Sequence, residues 1–308
     1  MKRIFLTADK SRLRAGWRLA LQTILSFLFL AGAGILIGIA LYITSPNLIE
    51  GFKNSSTPAL TALSMIAEAL AFTASIFLAR RFFDKRSIAS LGLTINFQAL
   101  SDVLAGIVIT FVQMSFIYLL MRAFGWVTFQ GFAWNFDPPD QVVGNALLFL
   151  FIFLLVGWSE ELLSRGYHLQ TLASGLNLFW GVAISSVIFG FLHIFNPDAS
   201  WAAALGTALA GLFFAFAYLR TKQLWLPIGL HIGWNFFEGV GFGFPVSGLT
   251  IYPLTRIEVS GPELWTGGGF GPEAGLIVLP ALIIGVSLII LLTRSQCEQQ
   301  PKNTSAIE

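Results

Sequence analysis

Eight apolar runs, each near the ~20 residues that carry a helix across a bilayer, decide most of what this chain can fold into. They fall at about 19–43, 59–79, 103–124, 142 to beyond 158, 178–195, 201–219, 224–240 and 274–292. In hydrocarbon every backbone N–H and C=O must be bonded internally, so runs of this length become helices. Of the 308 residues 56% are hydrophobic and only 11% charged, and the mean hydropathy of +0.76 lies beyond the soluble globular range. The expectation is an all-α polytopic membrane protein with about eight transmembrane helices. It forms a single integral-membrane domain over 1–308, without a repeat of fixed period and without a separate soluble unit.

The charges between the runs set the expected orientation. Lys2, Arg3, Lys10, Arg12, Arg14 and Arg18 precede the first run, which is too long for a signal-peptide core and reads as a retained signal anchor. Arg80, Arg81, Lys85, Arg86, Arg220, Lys222, Arg294 and Lys302 fall on the same side, against Lys53, Arg122 and Arg256 on the other. That asymmetry places both termini in the cytoplasm, and membrane lipid is the surrounding partner. The net charge of +2 suggests no nucleic-acid partner. The single Cys297 excludes a disulfide framework and a cysteine metal cluster. Gly267-Gly-Gly-Phe-Gly271 lacks the strand and the Lys-Ser/Thr of a phosphate cradle and reads as loop; Asn54-Ser-Ser is a formal glycosylation sequon.

The chemistry lies in the few polar groups within the runs. Gly157-Trp-Ser-Glu-Glu-Leu-Leu-Ser-Arg-Gly166 puts two carboxylates and an arginine at the end of the fourth. Each charge at a membrane helix centre costs roughly 2.5–3.5 kcal/mol on insertion scales, so such groups face protein and carry function. Glu161 and Arg165 stand at i, i+4 in the favourable order for an ion pair, whereas Glu160 points about 100° away and is left without a local cation. His193 has Phe189 four residues before it, and His231 has Asn235 four residues after it on the same face. At ~1.5 Å of rise per residue, Glu160, His193, His231 and Asn235 sit roughly 18, 22, 10 and 16 Å into the membrane, within reach of one layer. Glu68 has no recognisable partner, and Glu238 reads as a helix-end residue near water.

A glutamate in an apolar site can take a proton from water and return it to a leaving amine, while an imidazole and an amide donate to the oxyanion. Two histidines and two glutamates could also ligate Zn²⁺. The H-E-x-x-H motif is absent, so a metal among Glu160, His193 and His231 stays open.

Glu160-Glu161-x-x-x-Arg165, Phe189-x-x-x-His193 and His231-x-x-x-Asn235 together resemble the CPBP family of intramembrane proteases. That group includes the CAAX prenyl endopeptidases of the Rce1 type and bacterial bacteriocin-processing and self-immunity proteins. The resemblance implies a catalytic core at 142–240, with its cavity between the fourth, fifth and seventh helices. It implies Glu160 as general base, His193 positioning the water, and His231 with Asn235 stabilising the oxyanion. Glu161 and Arg165 take supporting roles. The expected activity is endopeptidase cleavage near the C-terminus of a lipidated, CAAX-like or membrane-associated substrate, by glutamate-activated water with or without a metal. The expected location is the plasma membrane of a prokaryote. The alternative from another class is a non-catalytic self-immunity or scaffolding protein; a proton-coupled transporter is disfavoured by the lack of inverted repeats.

Overall fold

The computed structural model describes residues 5–7, 12–44 and 58–294. Cys297, the Asn54 sequon and Lys2, Arg3, Lys10, Lys53 and Lys302 lie outside them. Helices stand at all eight predicted positions: α1 (Ala15–Thr44), α2 (Pro58–Leu78), α3 (Phe97–Ala123), α4 (Pro139–Glu161), α5 (Leu178–Leu192), α6 (Trp201–Thr221), α7 (Trp225–Asn235) and α8 (Val278–Leu292). Six of them, counted with the helical turns that prolong α2, α4 and α5, are long and apolar enough to cross a membrane. The chain is a polytopic all-α membrane protein.

The other two are shorter than the sequence suggests. α8 has 15 residues, and α7 has 11 before its last turns widen into a π-helix at Phe236–Gly241. Length matters less for α7, because every residue from Leu226 to Asn235 is buried in protein. Its neighbours approach closely through glycine. A Cβ on Gly229 would lie 2.2 Å from the Val103 carbonyl oxygen, one on Gly233 2.1 Å from Thr110 Oγ1, and one on Gly106 2.4 Å from the Leu230 nitrogen. Gly229 and Gly233 are four apart, so one small-residue face of α7 is pressed onto α3, as small-xxx-small pairs allow in membranes. Gly229→Ala is therefore expected to force the two helices apart. A loss of about 1–3 kcal/mol, the usual range for overpacking, is the expected outcome of denaturation in detergent; unchanged stability would contradict this packing.

Helix starts follow from capping. The side chains of Asn96, Asn177 and Ser200 accept hydrogen bonds from the third backbone N–H beyond them, at 3.0, 3.0 and 3.1 Å, opening α3, α5 and α6.

Two predicted topology charges have a further role. Arg18 and Arg80 are buried rather than free at the membrane edge, and both pair with Asp84. Arg18 also donates to Ser174 at 2.7 Å and Arg80 to Gln170 at 2.8 Å, so this cluster ties α1 and α2 to the far end of α4.

The loops carry structure that the hydropathy pattern did not announce. Val127–Phe132 (β1) pairs antiparallel with Thr255–Val259 (β2), with a bulge at Gln130, next to Gly131, whose φ of 141° suits glycine. Asp137 fastens this ribbon, accepting from Tyr252 at 2.7 Å and Arg256 at 2.6 Å. Those two hydrogen bonds hold its carboxyl below the usual carboxylate range. The segment 241–273, expected to be a plain Gly/Pro-rich connector, instead folds back so that Val246, Ser247, Leu249, Ile251 and Glu273 line a cavity among the helices.

Candidate active site

Glu160 and Glu161 end the regular part of α4. The chain continues helically to Gly175, but through a π-helical stretch at Leu162–Leu169 that holds Arg165. Such widened turns recur at functional sites. The pair expected from i, i+4 spacing is present: Arg165 Nη1 donates to Glu161 Oε1 at 2.8 Å, with both side chains essentially sealed from solvent. Arg165 Nη2 reaches the carbonyl of Gly211 on α6 at 2.9 Å, and its guanidinium lies 4.4 Å from the Phe189 ring centre and 5.2 Å from that of Phe214. The two rings stand at 87° to each other, so the guanidinium sits in an aromatic corner and gains cation–π attraction from both.

Glu161 has a second partner that spacing could not reveal. His231 Nδ1 donates to Glu161 Oε1 at 2.9 Å, across 70 residues of sequence. The His231 ring also stacks on Phe214, 5.1 Å between centres and 11° between planes. Arg165, Glu161 and His231 thus form one buried chain joining α4 to α7.

Glu160 turns the other way, into a cavity of about 370 Å³. His193, His231 and Asn235 line the same cavity, as does Glu68 from α2. Glu160 Oε2 stands 4.0 Å from His193 Nε2 and 3.9 Å from His231 Nε2, and has no hydrogen-bond partner among the described residues. His193 closes α5 rather than lying within it; its Nδ1 sits 2.8 Å from the carbonyl of Phe189, whose ring flanks it at 4.9 Å. A carbonyl only accepts, so Nδ1 carries the proton and the neutral ring presents Nε2 to the cavity as an acceptor. The same reasoning leaves His231 Nε2 an acceptor in the neutral ring and a donor only in the imidazolium. For that cation, Glu161 is the counter-ion.

All four predicted reactive residues therefore share one chamber. Its walls also come from α2 and α6, beyond the three helices the resemblance implied. Glu238 does not face water as expected: it is fully buried, and neither carboxylate oxygen has a hydrogen-bond partner among the described residues. Residues the spacing missed include Asn196, Ser247 and Glu273. Their only signal was position, next to the end of α5 or in the glycine-rich return loop.

The fit of a metal follows from the distances. Tetrahedral zinc with bonds near 2.1 Å sets neighbouring ligand atoms roughly 3.4 Å apart. Glu160 Oε2 is farther than that from both imidazoles, and no three of His, Cys, Asp and Glu group as a metal site among the described residues. The side chains as placed do not fit Zn²⁺.

A comparison with known families covers this chamber. Residues 142–237 match the model for "Type II CAAX prenyl endopeptidase Rce1-like", a span that holds Glu160, Glu161, Arg165, His193, His231 and Asn235. These residues form an Rce1-like segment. A Bacillus subtilis (strain 168) protein named "Putative membrane peptidase YdiL" is 40% identical over 78 residues. That alignment spans 25% of this chain and 30% of the relative, so the Rce1-like likeness concerns a core and not either full length. No solved structure matches. α2, the ribbon and the return loop with Glu273 lie outside the Rce1-like segment.

Proposed function

We propose that the chain is a membrane-embedded endopeptidase that hydrolyses a peptide bond near the C-terminus of a lipidated, CAAX-like or membrane-associated protein. The observation that carries the reading is the convergence of Glu160 Oε2 with the Nε2 atoms of His193 and His231 on one cavity within the Rce1-like segment. These separations exceed a direct hydrogen bond and suit groups that share a water.

In this reading, a water donates one hydrogen to Glu160 Oε2 and the other to His193 Nε2, which turns its oxygen lone pair toward a bound carbonyl carbon. As the C–O bond forms, the proton passes to Glu160 and the carbonyl oxygen becomes an oxyanion. The Asn235 amide and the His231 imidazolium, balanced by Glu161, donate to that oxyanion. Collapse breaks the C–N bond, and Glu160 returns its proton to the leaving nitrogen. Mostly apolar walls such as Phe149, Ile152, Phe153 and Leu192 suit a substrate segment that arrives through the bilayer. Both termini face the cytoplasm of a prokaryotic plasma membrane in this scheme, as the cation asymmetry favours.

The direct experiment is cleavage of lipidated and unlipidated membrane peptides by the purified protein, with and without a chelator. Fragments should form at the same rate after chelation, and elemental analysis should find less than about one-tenth of an equivalent of zinc, in keeping with the ligand spacing. Loss of cleavage on chelation with recovery on adding Zn²⁺ would overturn the metal-free step. Absence of cleavage under every condition would favour the non-catalytic self-immunity or scaffolding reading.

A further inference from the structure

Glu273 lies outside the Rce1-like segment, yet it is tied to two of the elements that carry the reactive groups. It follows Pro272 in a short 3-10 turn at the end of the return loop and is 7% exposed. Its Oε1 accepts from Trp234 Nε1 at 3.1 Å, and its Oε2 accepts from Ser247 Oγ at 2.5 Å. Trp234 is the residue before Asn235 and three after His231, and it is buried at the core of α7. The backbone carbonyl of Ser247 accepts in turn from Asn196 Nδ2 at 3.0 Å, three residues beyond His193. One carboxylate therefore links α7, the return loop and the end of α5 in a single chain of hydrogen bonds.

The backbone around this chain is tightly confined. Ser247 has a φ of +47° and Gly248 one of +83°, and a Cβ on Gly248 would lie 1.9 Å from the Pro197 carbonyl oxygen. Gly206 of α6 admits the Glu273 carbonyl, which would stand 1.9 Å from a Cβ there. A left-handed serine is strained and persists only where surrounding contacts enforce it. A purely structural loop has no need to direct a carboxylate into the reaction chamber and engage both its oxygens with residues bordering the reactive groups.

We propose that Glu273 is a positioning residue of the site: through Trp234 and Ser247 it holds α7 and the end of α5 in the register that sets Asn235 and His231 opposite His193. Its effect on rate rests on the peptidase reading above, whereas the geometry can be tested without it. For geometry, Asn235→Cys is made in a Cys297→Ser background, leaving one cysteine, and its labelling by a small methanethiosulfonate reagent is timed. Glu273→Ala, which removes both acceptors, should change the labelling rate by at least about threefold; Glu273→Gln, which can still accept from the indole and donate to Ser247 Oγ, should restore it to within about twofold. In the chain with Asn235 intact, Glu273→Ala should lower kcat about tenfold or more with KM within about threefold, and Glu273→Gln should recover most of the loss.

An unchanged labelling rate in Glu273→Ala overturns the proposal, as does an equal loss of kcat in the alanine and glutamine variants. Altered labelling in a protein whose wild type cleaves no peptide would leave the positioning role standing and remove the peptidase reading. If Glu273→Ala does not fold, Ser247→Ala breaks one link only; a smaller labelling change supports the chain of hydrogen bonds, and no change overturns it.

Discussion

Arg165→Ala should lower the stability of the detergent-solubilised protein by about 3–5 kcal/mol, the usual cost of removing one partner from a buried ion pair. Three contacts vanish together: the bond to Glu161, the bond to the Gly211 carbonyl, and the cation–π contacts with Phe189 and Phe214. The larger part of the loss is the carboxylate left behind, since the Glu161 side chain is 0% exposed and would retain only His231 among the described residues. Arg165→Lys should recover part of the stability but not all of it, because an ammonium cannot reach the two acceptors in a fixed fork. Denaturation of both variants measures this, and a loss under about 1 kcal/mol for alanine would contradict the role assigned to the pair. Activity should fall as well, since Glu161 without its cation no longer holds His231 in one orientation.

Glu160→Gln should behave in the opposite way, with activity lost and stability kept. General-base catalysis contributes roughly 10²- to 10⁴-fold, so cleavage should drop by at least about 10²-fold. The side chain is 25% exposed and its Oε2 has no hydrogen-bond partner among the described residues, so an isosteric amide breaks no bond of that oxygen there. Glu160→Asp keeps the charge but withdraws it by about one C–C bond from both imidazoles. A displacement near 1 Å can cost about 10²-fold, so this variant should also be severely impaired. Activity of Glu160→Gln within about tenfold of wild type would remove Glu160 from the mechanism.

The parts of the fold legible in the sequence are those that a bilayer enforces locally. Helices α1 to α6 show as apolar runs because hydrocarbon leaves an unpaired backbone no alternative. Glu161 with Arg165 and Phe189 with His193 were readable because both pairs lie one helical turn apart. Depth only permitted Glu160, His193 and His231 to meet; the expectation that they do came from the resemblance of the three motifs, in keeping with the gathering of polar groups on the protein interior.

Long-range partners were not legible. Nothing in a four-residue period tells Glu161 that His231, 70 residues on, will share its oxygen. Arg18 and Arg80 read as topology charges because their composition suits that role, and only packing brings both to Asp84. Glu238 lies toward the end of an apolar run, where water is the ordinary expectation; the return loop covers it instead. Glu273 and Ser247 sit among glycines and prolines, where neither helical nor strand periodicity marks a face, so their place in the chamber depends on how the loop folds back.

The most direct measurement is mass spectrometry of a panel of lipidated and unlipidated membrane peptides incubated in liposomes with the wild type or with Glu160→Gln, in H₂¹⁸O. The account predicts a matched pair of fragments from the wild type, with ¹⁸O in the new C-terminal carboxylate of the upstream fragment and no such pair from the variant. Intact peptides with the wild type, or the same labelled fragments with both proteins, would contradict it.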